Sequence, residues 1–167
     1  MRDRGDFEAF VVAAGRRLHT SAYLLTRDHG LAEDLVQTAL ARAWIAWHRV
    51  DGAPEPYVRR ILVHEFLTSR RRRWWGEHPD DDPPDEATPD TYRASDDRLD
   101  LAGALGRLPV RQRAVVVLRY VEGLPEAEVA ELLGCSVGTV KSQASKALAK
   151  LRVDDVLGDR TGIGGER

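Results

Sequence analysis

The sequence predicts an all-α protein made of two small helical domains, and three observations support this fold class. Apolar residues recur at three- and four-residue spacing over most of the chain. No segment alternates apolar and polar residues long enough to predict a strand, and the apolar run at 114–118 fits a buried helix better. A proline-rich acidic stretch interrupts the helical pattern and predicts a flexible linker at 76–97.

The first domain is predicted to cover residues 1–75 and to contain three helices. The first helix is predicted over 7–25 and the second over 31–47, with a turn signal between them. A third helix is predicted from about 55 to 75, after the helix-breaking sequence "DGAPEP". It ends in four arginines and two tryptophans, which suit phosphate neutralisation and aromatic contact; alternatively, the tryptophans pack back on the domain.

The second domain is predicted to cover residues 98–153, with four short helices that end where glycine or proline appears, followed by a short frayed tail at 154–167. Its last two helices fit a helix-turn-helix unit. Glu126 favours the positive end of the earlier helix dipole, Gly134 can take a positive φ after that helix, and Ser136 can cap the next one.

The final helix sets an apolar face against a polar face. The residues predicted to face inward are Val137, Val140, Ala144, Ala147, Leu148 and Leu151. The opposite face presents Gly138, Lys141, Ser142 and Ser145, with Lys146 beside them. A helix in the major groove exposes such a row to base edges and phosphates. Alone, this helix would more often be a solvated amphipathic helix, but the complete two-helix pattern predicts binding to duplex DNA.

Composition excludes several classes of protein. No apolar run approaches the length of a membrane span and the N-terminus is charged, which predicts a cytoplasmic protein without membrane insertion. The single cysteine, Cys135, excludes an internal disulfide, and turn packing is predicted for it rather than redox sensing. No histidine spacing predicts a metal site, and no acid–base pair or phosphate loop predicts an enzyme or a cofactor.

The net charge of −2 hides a sorting of charge along the chain. Residues 57–75 carry six arginines against one acid, the linker is mostly acidic, and 101–152 turns basic again. The near-neutral total therefore hides two basic domains joined by an acidic strap. The strap is interpreted as a spacer, with the further hypothesis that it covers a basic DNA-binding face in the free protein.

Three stretches in this order resemble a bacterial RNA polymerase sigma factor of the extracytoplasmic-function group, in its short SigE-like branch. They are "AEDLVQTALARAW" at 32–44, "PYVRRILVHEFLTSRRRRWW" at 56–75, and the helix-turn-helix region at 108–152. The resemblance covers residues 5–152. It implies that the three stretches bind core polymerase, open and read the −10 promoter element, and bind the −35 element, respectively.

The resemblance also implies partners and contact residues. The partners are core RNA polymerase, through the β′ clamp coiled coil and the β subunit, promoter DNA, and an anti-sigma factor. Core polymerase binding falls on Asp34, Gln37, Thr38 and Trp44. Binding to −10 DNA falls on Tyr57, Arg60, His64 and Arg71, where the tyrosine can stack on an unpaired base. Binding to −35 DNA falls on Lys141, Ser142, Ser145 and Lys146.

Three of these positions depart from the family pattern. Thr38 stands where an acidic residue is common, and His64 stands where asparagine is common. Lys141 stands where arginine is frequent, and lysine lacks the planar fork that reads a guanine with two hydrogen bonds.

Two other classes of protein compete with this interpretation. A self-sufficient operator-binding regulator would explain the helix-turn-helix, with the first domain sensing a ligand or dimerising. It would not explain the pair of stretches at 32–44 and 57–75. A helical adaptor that binds only proteins would leave the basic segments unexplained.

Overall fold

The computed structural model describes residues 2–73 and 96–161, with side chains for 2–70 and 101–152. All regular structure in these residues is helical, so the predicted all-α fold class is confirmed. The described helices form two compact units, one before and one after the undescribed segment. Most of the predicted linker lies outside the described residues, as do the two tryptophans at the end of the third predicted helix.

The first unit is a bundle of three long helices in mutual contact. These are α1 (Arg4–Thr26), α2 (His29–Ile45) and α3 (Pro54–Arg73). The three predicted helices are confirmed, with one difference: Trp47 lies outside α2, in a short 3₁₀ turn at Trp47–Arg49.

Close packing in this unit depends on small residues. Four alanines of α1 and α2 have no exposed surface, namely Ala22, Ala32, Ala39 and Ala43. Because alanine carries only a methyl group, the helix backbones can approach closely along this line. Aromatic residues fill the end of the bundle: the Trp47 ring lies 5.0 Å from that of Phe7 and 5.4 Å from that of Phe10. Such tilted and edge-on contacts add to the stability that burial supplies.

The second unit contains four helical segments, as predicted. They are α4 (Asp96–Gly106), α5 (Val110–Val116), α6 (Glu126–Leu133) and α7 (Val137–Thr161). A single π-helical turn at Val117–Val121 continues α5, and the apolar run at 114–118 is buried. The last helix continues through Thr161, beyond the start of the predicted tail.

The turn between α6 and α7 has the geometry that its sequence predicts. Gly134 has a φ of +64°, a conformation that side chains with a Cβ rarely adopt. The next backbone N–H, of Cys135, donates to the carbonyl oxygen of Ala130 at 3.0 Å. Ser136 then caps α7, because its hydroxyl accepts a hydrogen bond from the backbone N–H of Thr139 at 3.1 Å.

The buried face of α7 agrees with the prediction except at its first residue. Val140 and Ala147 have no exposed surface, and Ala144, Leu148 and Leu151 are partly exposed. Val137 was predicted to face inward, but it is 38% exposed. Side chains of a first helical turn point back past the helix end, where no further turn of the helix covers them. Across both described parts, no helix is long and apolar enough to cross a membrane.

Candidate nucleic-acid interface

The outer face of α7 brings together all four residues predicted to bind −35 DNA. Lys141, Ser142, Ser145 and Lys146 are all exposed, and they follow the helical spacing of a single face and its edge. The cap at Ser136 fixes the start of the helix one turn before Lys141. This face can therefore present two hydroxyls and two ammonium groups to a duplex without rearrangement of the unit.

Lys141 has a partner within the helix-turn-helix that no sequence pattern indicates. Its Nζ lies 3.8 Å from Oε2 of Glu126, the first residue of α6. The other carboxylate oxygen of Glu126 lies 3.9 Å from Nη2 of Arg119. The three residues lie on different helical segments and have no short-range spacing. The opposite sign of their charges is therefore the only sequence signal for the cluster.

A second row lies on α3, in the first unit. Tyr57, Arg60 and His64 recur at helical spacing, which places them on one side of the helix. Arg60 and His64 are exposed, and Tyr57 is partly exposed. Arg71 continues α3 two turns further on, but its side chain lies outside the described set.

A third row lies on α2 and joins polar and apolar side chains. Asp34, Gln37 and Thr38 are exposed on one stripe, and the side-chain amide of Gln37 donates to Oε1 of Glu33 at 3.3 Å. The same stripe ends at Ile45, which is 76% exposed and was not predicted as a contact residue.

Trp44, predicted to lie near the polymerase contact, is half-exposed. Its ring centroid lies 5.0 Å from that of Phe7 on α1, with the two rings tilted, so the bundle supports the indole on one side. Trp44 and its sequence neighbour Ile45 are both exposed, so two large apolar side chains lie at the end of α2.

An ion pair links the α2 and α3 helices. Nη1 of Arg42 lies 2.6 Å from Oε1 of Glu65, whose side chain is only 15% exposed. Nδ1 of His64 lies 3.7 Å from the same oxygen. Glu65 thus connects the helix of the predicted polymerase contact to the predicted −10 row, a link that spans more than twenty residues of sequence and that periodicity cannot reveal.

The described residues hold no group of three or more histidine, cysteine, aspartate or glutamate side chains that could bind a metal ion. Cys135 is half-buried in the helix-turn-helix turn. The helix-turn-helix unit, with an exposed polar and basic face on its second helix, defines the chain as a two-part, all-helical protein of the DNA-binding class.

Comparison with known families and proteins identifies the family. Residues 3–76 match the model of Sigma-70 region 2, and residues 98–151 match that of Sigma-70, region 4. The RNA polymerase sigma-E factor of Streptomyces coelicolor is 36% identical over 156 residues, which cover 92% of this chain and 88% of that protein. The ECF RNA polymerase sigma factor SigL of Mycobacterium tuberculosis is 34% identical, with coverage of 79% and 78%.

Solved structures agree with this result. The sigma factor RpoE of Bartonella quintana, in complex with the anti-sigma factor NepR, has a TM-score of 0.68 and 29% identity, with coverage of 88% and 94%. CnrH, in complex with the cytosolic domain of CnrY, shares the fold with a TM-score of 0.61 and 24% identity, covering 90% of this chain and 88% of that one. The chain belongs to the sigma-70 family of RNA polymerase sigma factors, in its extracytoplasmic-function group. It therefore directs promoter-specific initiation of transcription, and the predicted family and function are confirmed.

Proposed function

We propose a division of work between the two domains during promoter recognition. The domain at 1–75 binds core polymerase and then captures the −10 element, while the domain at 98–153 anchors on −35 duplex DNA. The linker at 76–97 spans the distance between them. The chain acts in the cytoplasm as a specificity subunit without a cofactor of its own, and nucleotide addition belongs to the polymerase.

Each contact is proposed for a specific row of side chains. Core polymerase binds to Asp34, Gln37, Thr38 and Trp44, and the β subunit is a further contact of the chain. The −10 element binds to Tyr57, Arg60, His64 and Arg71. The −35 element binds to Lys141, Ser142, Ser145 and Lys146.

The α2 row is the observation that carries this proposal. Its polar residues, Asp34, Gln37 and Thr38, are exposed, and the row ends in Ile45, which is 76% exposed, beside the half-exposed Trp44. Protein interfaces combine an apolar, aromatic centre with a polar rim in this way. An isolated DNA-binding regulator would not require such a row on a helix remote in sequence from its helix-turn-helix.

Titration of core polymerase into the fluorescently labelled full-length chain, followed by anisotropy, tests the proposal. The double variant Asp34→Ala/Gln37→Ala should bind core polymerase at least about tenfold more weakly, because two contacts of the interface are truncated. The matched control is Arg16→Ala/Asp51→Ala, which removes two exposed residues of the same unit outside the row. Absence of binding by folded wild-type chain, or equal loss in both double variants, would contradict the assignment.

An anti-sigma protein is proposed as a further partner of this chain. The support is RpoE, a relative of the same fold that is seen in complex with the anti-sigma factor NepR. Affinity purification of the tagged chain from unstressed native cells should recover a second protein in place of polymerase. Recovery with polymerase alone under those conditions would contradict this part of the proposal.

A further inference from the structure

Glu126 occupies a position between two cations of the helix-turn-helix unit. Its Oε2 lies 3.8 Å from the Lys141 ammonium, and its Oε1 lies 3.9 Å from the Arg119 guanidinium. Arg119 is itself anchored, because Nη1 donates to the carbonyl oxygen of Leu124 at 2.5 Å and the guanidinium stacks over the ring of Tyr120 at 5.6 Å. The carboxylate is therefore held on one side by a fixed cation and faces, on the other, a lysine whose side chain is 64% exposed.

We propose that Glu126 is a positioning residue that increases the DNA specificity of this sigma factor. Its carboxylate holds the Lys141 ammonium over the polar face of α7 and competes with backbone phosphates for it. The inference rests on the proposed function, which assigns Lys141 to the −35 element.

The chemistry of the ammonium group explains how specificity would follow. A lysine ammonium has three donors, so one can face Glu126 while the others remain available for base edges in the groove. A phosphate contact away from the groove requires the ammonium to leave the carboxylate, and it also brings a second negative charge towards Glu126. Nonspecific binding consists almost entirely of phosphate contacts, so the carboxylate weakens nonspecific binding more than binding to the correct site.

The effect should be modest because the pair is exposed to solvent. Exposed ion pairs contribute energies that correspond to changes of up to about fivefold in an equilibrium constant, and salt screens them. We therefore expect Glu126→Gln to tighten binding to nonspecific duplex about threefold at low salt and to change binding to the −35 site less. The ratio of specific to nonspecific affinity should fall by a corresponding factor.

The test uses the full-length chain and two duplex probes. One probe is poly(dI-dC), and the other is a duplex selected from a random library by the wild-type chain bound to core polymerase. Four proteins are compared with wild type: Glu126→Gln, Lys141→Gln, the double variant, and Glu131→Gln as a control that removes the same charge from the same helix. Glutamine has the shape of glutamate, and Lys141 is 64% exposed, so a shorter side chain there leaves no cavity and the fold is preserved.

In the Lys141→Gln background, the tighter nonspecific binding caused by Glu126→Gln should disappear. If Glu126 only stabilised the start of α6, Glu126→Gln would have the same effect on binding whether residue 141 is lysine or glutamine. If Glu126→Gln behaves like Glu131→Gln while Lys141→Gln weakens binding to the selected duplex, the inference is overturned and the proposed function stands. If Lys141→Gln leaves binding to the selected duplex unchanged, the proposed −35 assignment fails, and the inference fails with it.

Discussion

Lysine and serine side chains on the same face of α7 offer different chemistry to a DNA duplex. A lysine supplies a mobile positive charge that suits phosphates and acceptor atoms, whereas a serine hydroxyl reaches only nearby base edges. Lys141 and Lys146 lie at the two borders of a face on which Ser142 and Ser145 are also exposed. The lysines should therefore govern the salt dependence of binding, and the serines should govern the choice among sequences.

The variant Lys141→Ala should separate DNA binding from polymerase binding. We expect affinity for the −35 duplex to fall roughly fivefold. The slope of log K against log salt should fall in magnitude by about one, because the variant loses one positive charge that contacts a phosphate or a base edge. Association with core polymerase should be unchanged. Lys150→Ala is the matched control, because Lys150 is an exposed lysine of the same helix that is not assigned to the −35 element. Anisotropy titrations with DNA and with polymerase make the comparison, and equal loss of both activities would contradict the division of roles.

At the scale of residues, the sequence could predict exposure but not pairing. The four residues assigned to the −35 element are exposed as predicted, because helical periodicity places them opposite a strongly apolar face. The pairs Lys141–Glu126 and Arg42–Glu65 could not be predicted, since each joins two helices whose relative rotation depends on packing. The exposure of Ile45 is an exception, because an apolar side chain at the end of a helix faces solvent or the core according to the packing around that end.

The helical elements are defined mainly by their ends. The hydroxyl of Ser136 accepts from the backbone of Thr139 at 3.1 Å and lies 2.9 Å from the hydroxyl of the same residue. Because the first backbone N–H groups of a helix have no partner within it, this cap fixes the residue at which α7 begins. The start of α7 in turn sets which side chains face outward.

Replacement of the cap by Ser136→Ala should lower the free energy of unfolding of the second unit by about 1 kcal/mol. The control is Ser142→Ala, which removes an exposed serine from the same helix and should change stability by less than about 0.5 kcal/mol. All four tryptophans precede the second unit in the sequence. The urea midpoint of the unfolding transition followed by far-ultraviolet circular dichroism should therefore fall. The midpoint of the transition followed by tryptophan fluorescence should not change. A shift in the fluorescence transition would show that the cap is not a local feature.

The order of the helices could be predicted from the sequence more reliably than their ends. Periodicity and the breakers at Gly123 and Gly134, both with positive φ, divide the second unit correctly. The π-helical turn at Val117–Val121 has no signal of this kind, because a change of helix type depends on how the surrounding residues pack. The extension of α7 to Thr161 was also missed, since a few polar residues at a chain end fit both a helix and a frayed tail.

The whole molecule combines weak contacts by keeping them on one chain. In the proposed division of work, binding to polymerase brings both domains close to the promoter, which raises their effective concentration, so neither DNA contact needs to be strong alone. The charge distribution fits this arrangement, because the two basic domains are separated by an acidic strap while the net charge is only −2. The hypothesis that the acidic strap covers a basic DNA-binding face in the free protein rests on the attraction between opposite charges, which would reduce DNA binding in the absence of polymerase.

Neutralisation of the strap tests whether the free protein inhibits itself. The variant Asp80→Asn/Asp81→Asn/Asp82→Asn should bind duplex DNA about three to ten times more tightly than wild type at low salt, because fewer carboxylates compete with phosphates for the same cations. Its control, Glu8→Gln/Asp51→Asn/Glu131→Gln, makes the same change in net charge at exposed positions of the two units. When the variants are first bound to core polymerase, the strap variant should no longer bind DNA more tightly than wild type, because promoter engagement then separates the strap from the DNA-binding face. Unchanged DNA affinity of the free strap variant, or an equal increase in affinity in both variants, would contradict self-inhibition and leave the strap with the role of a spacer.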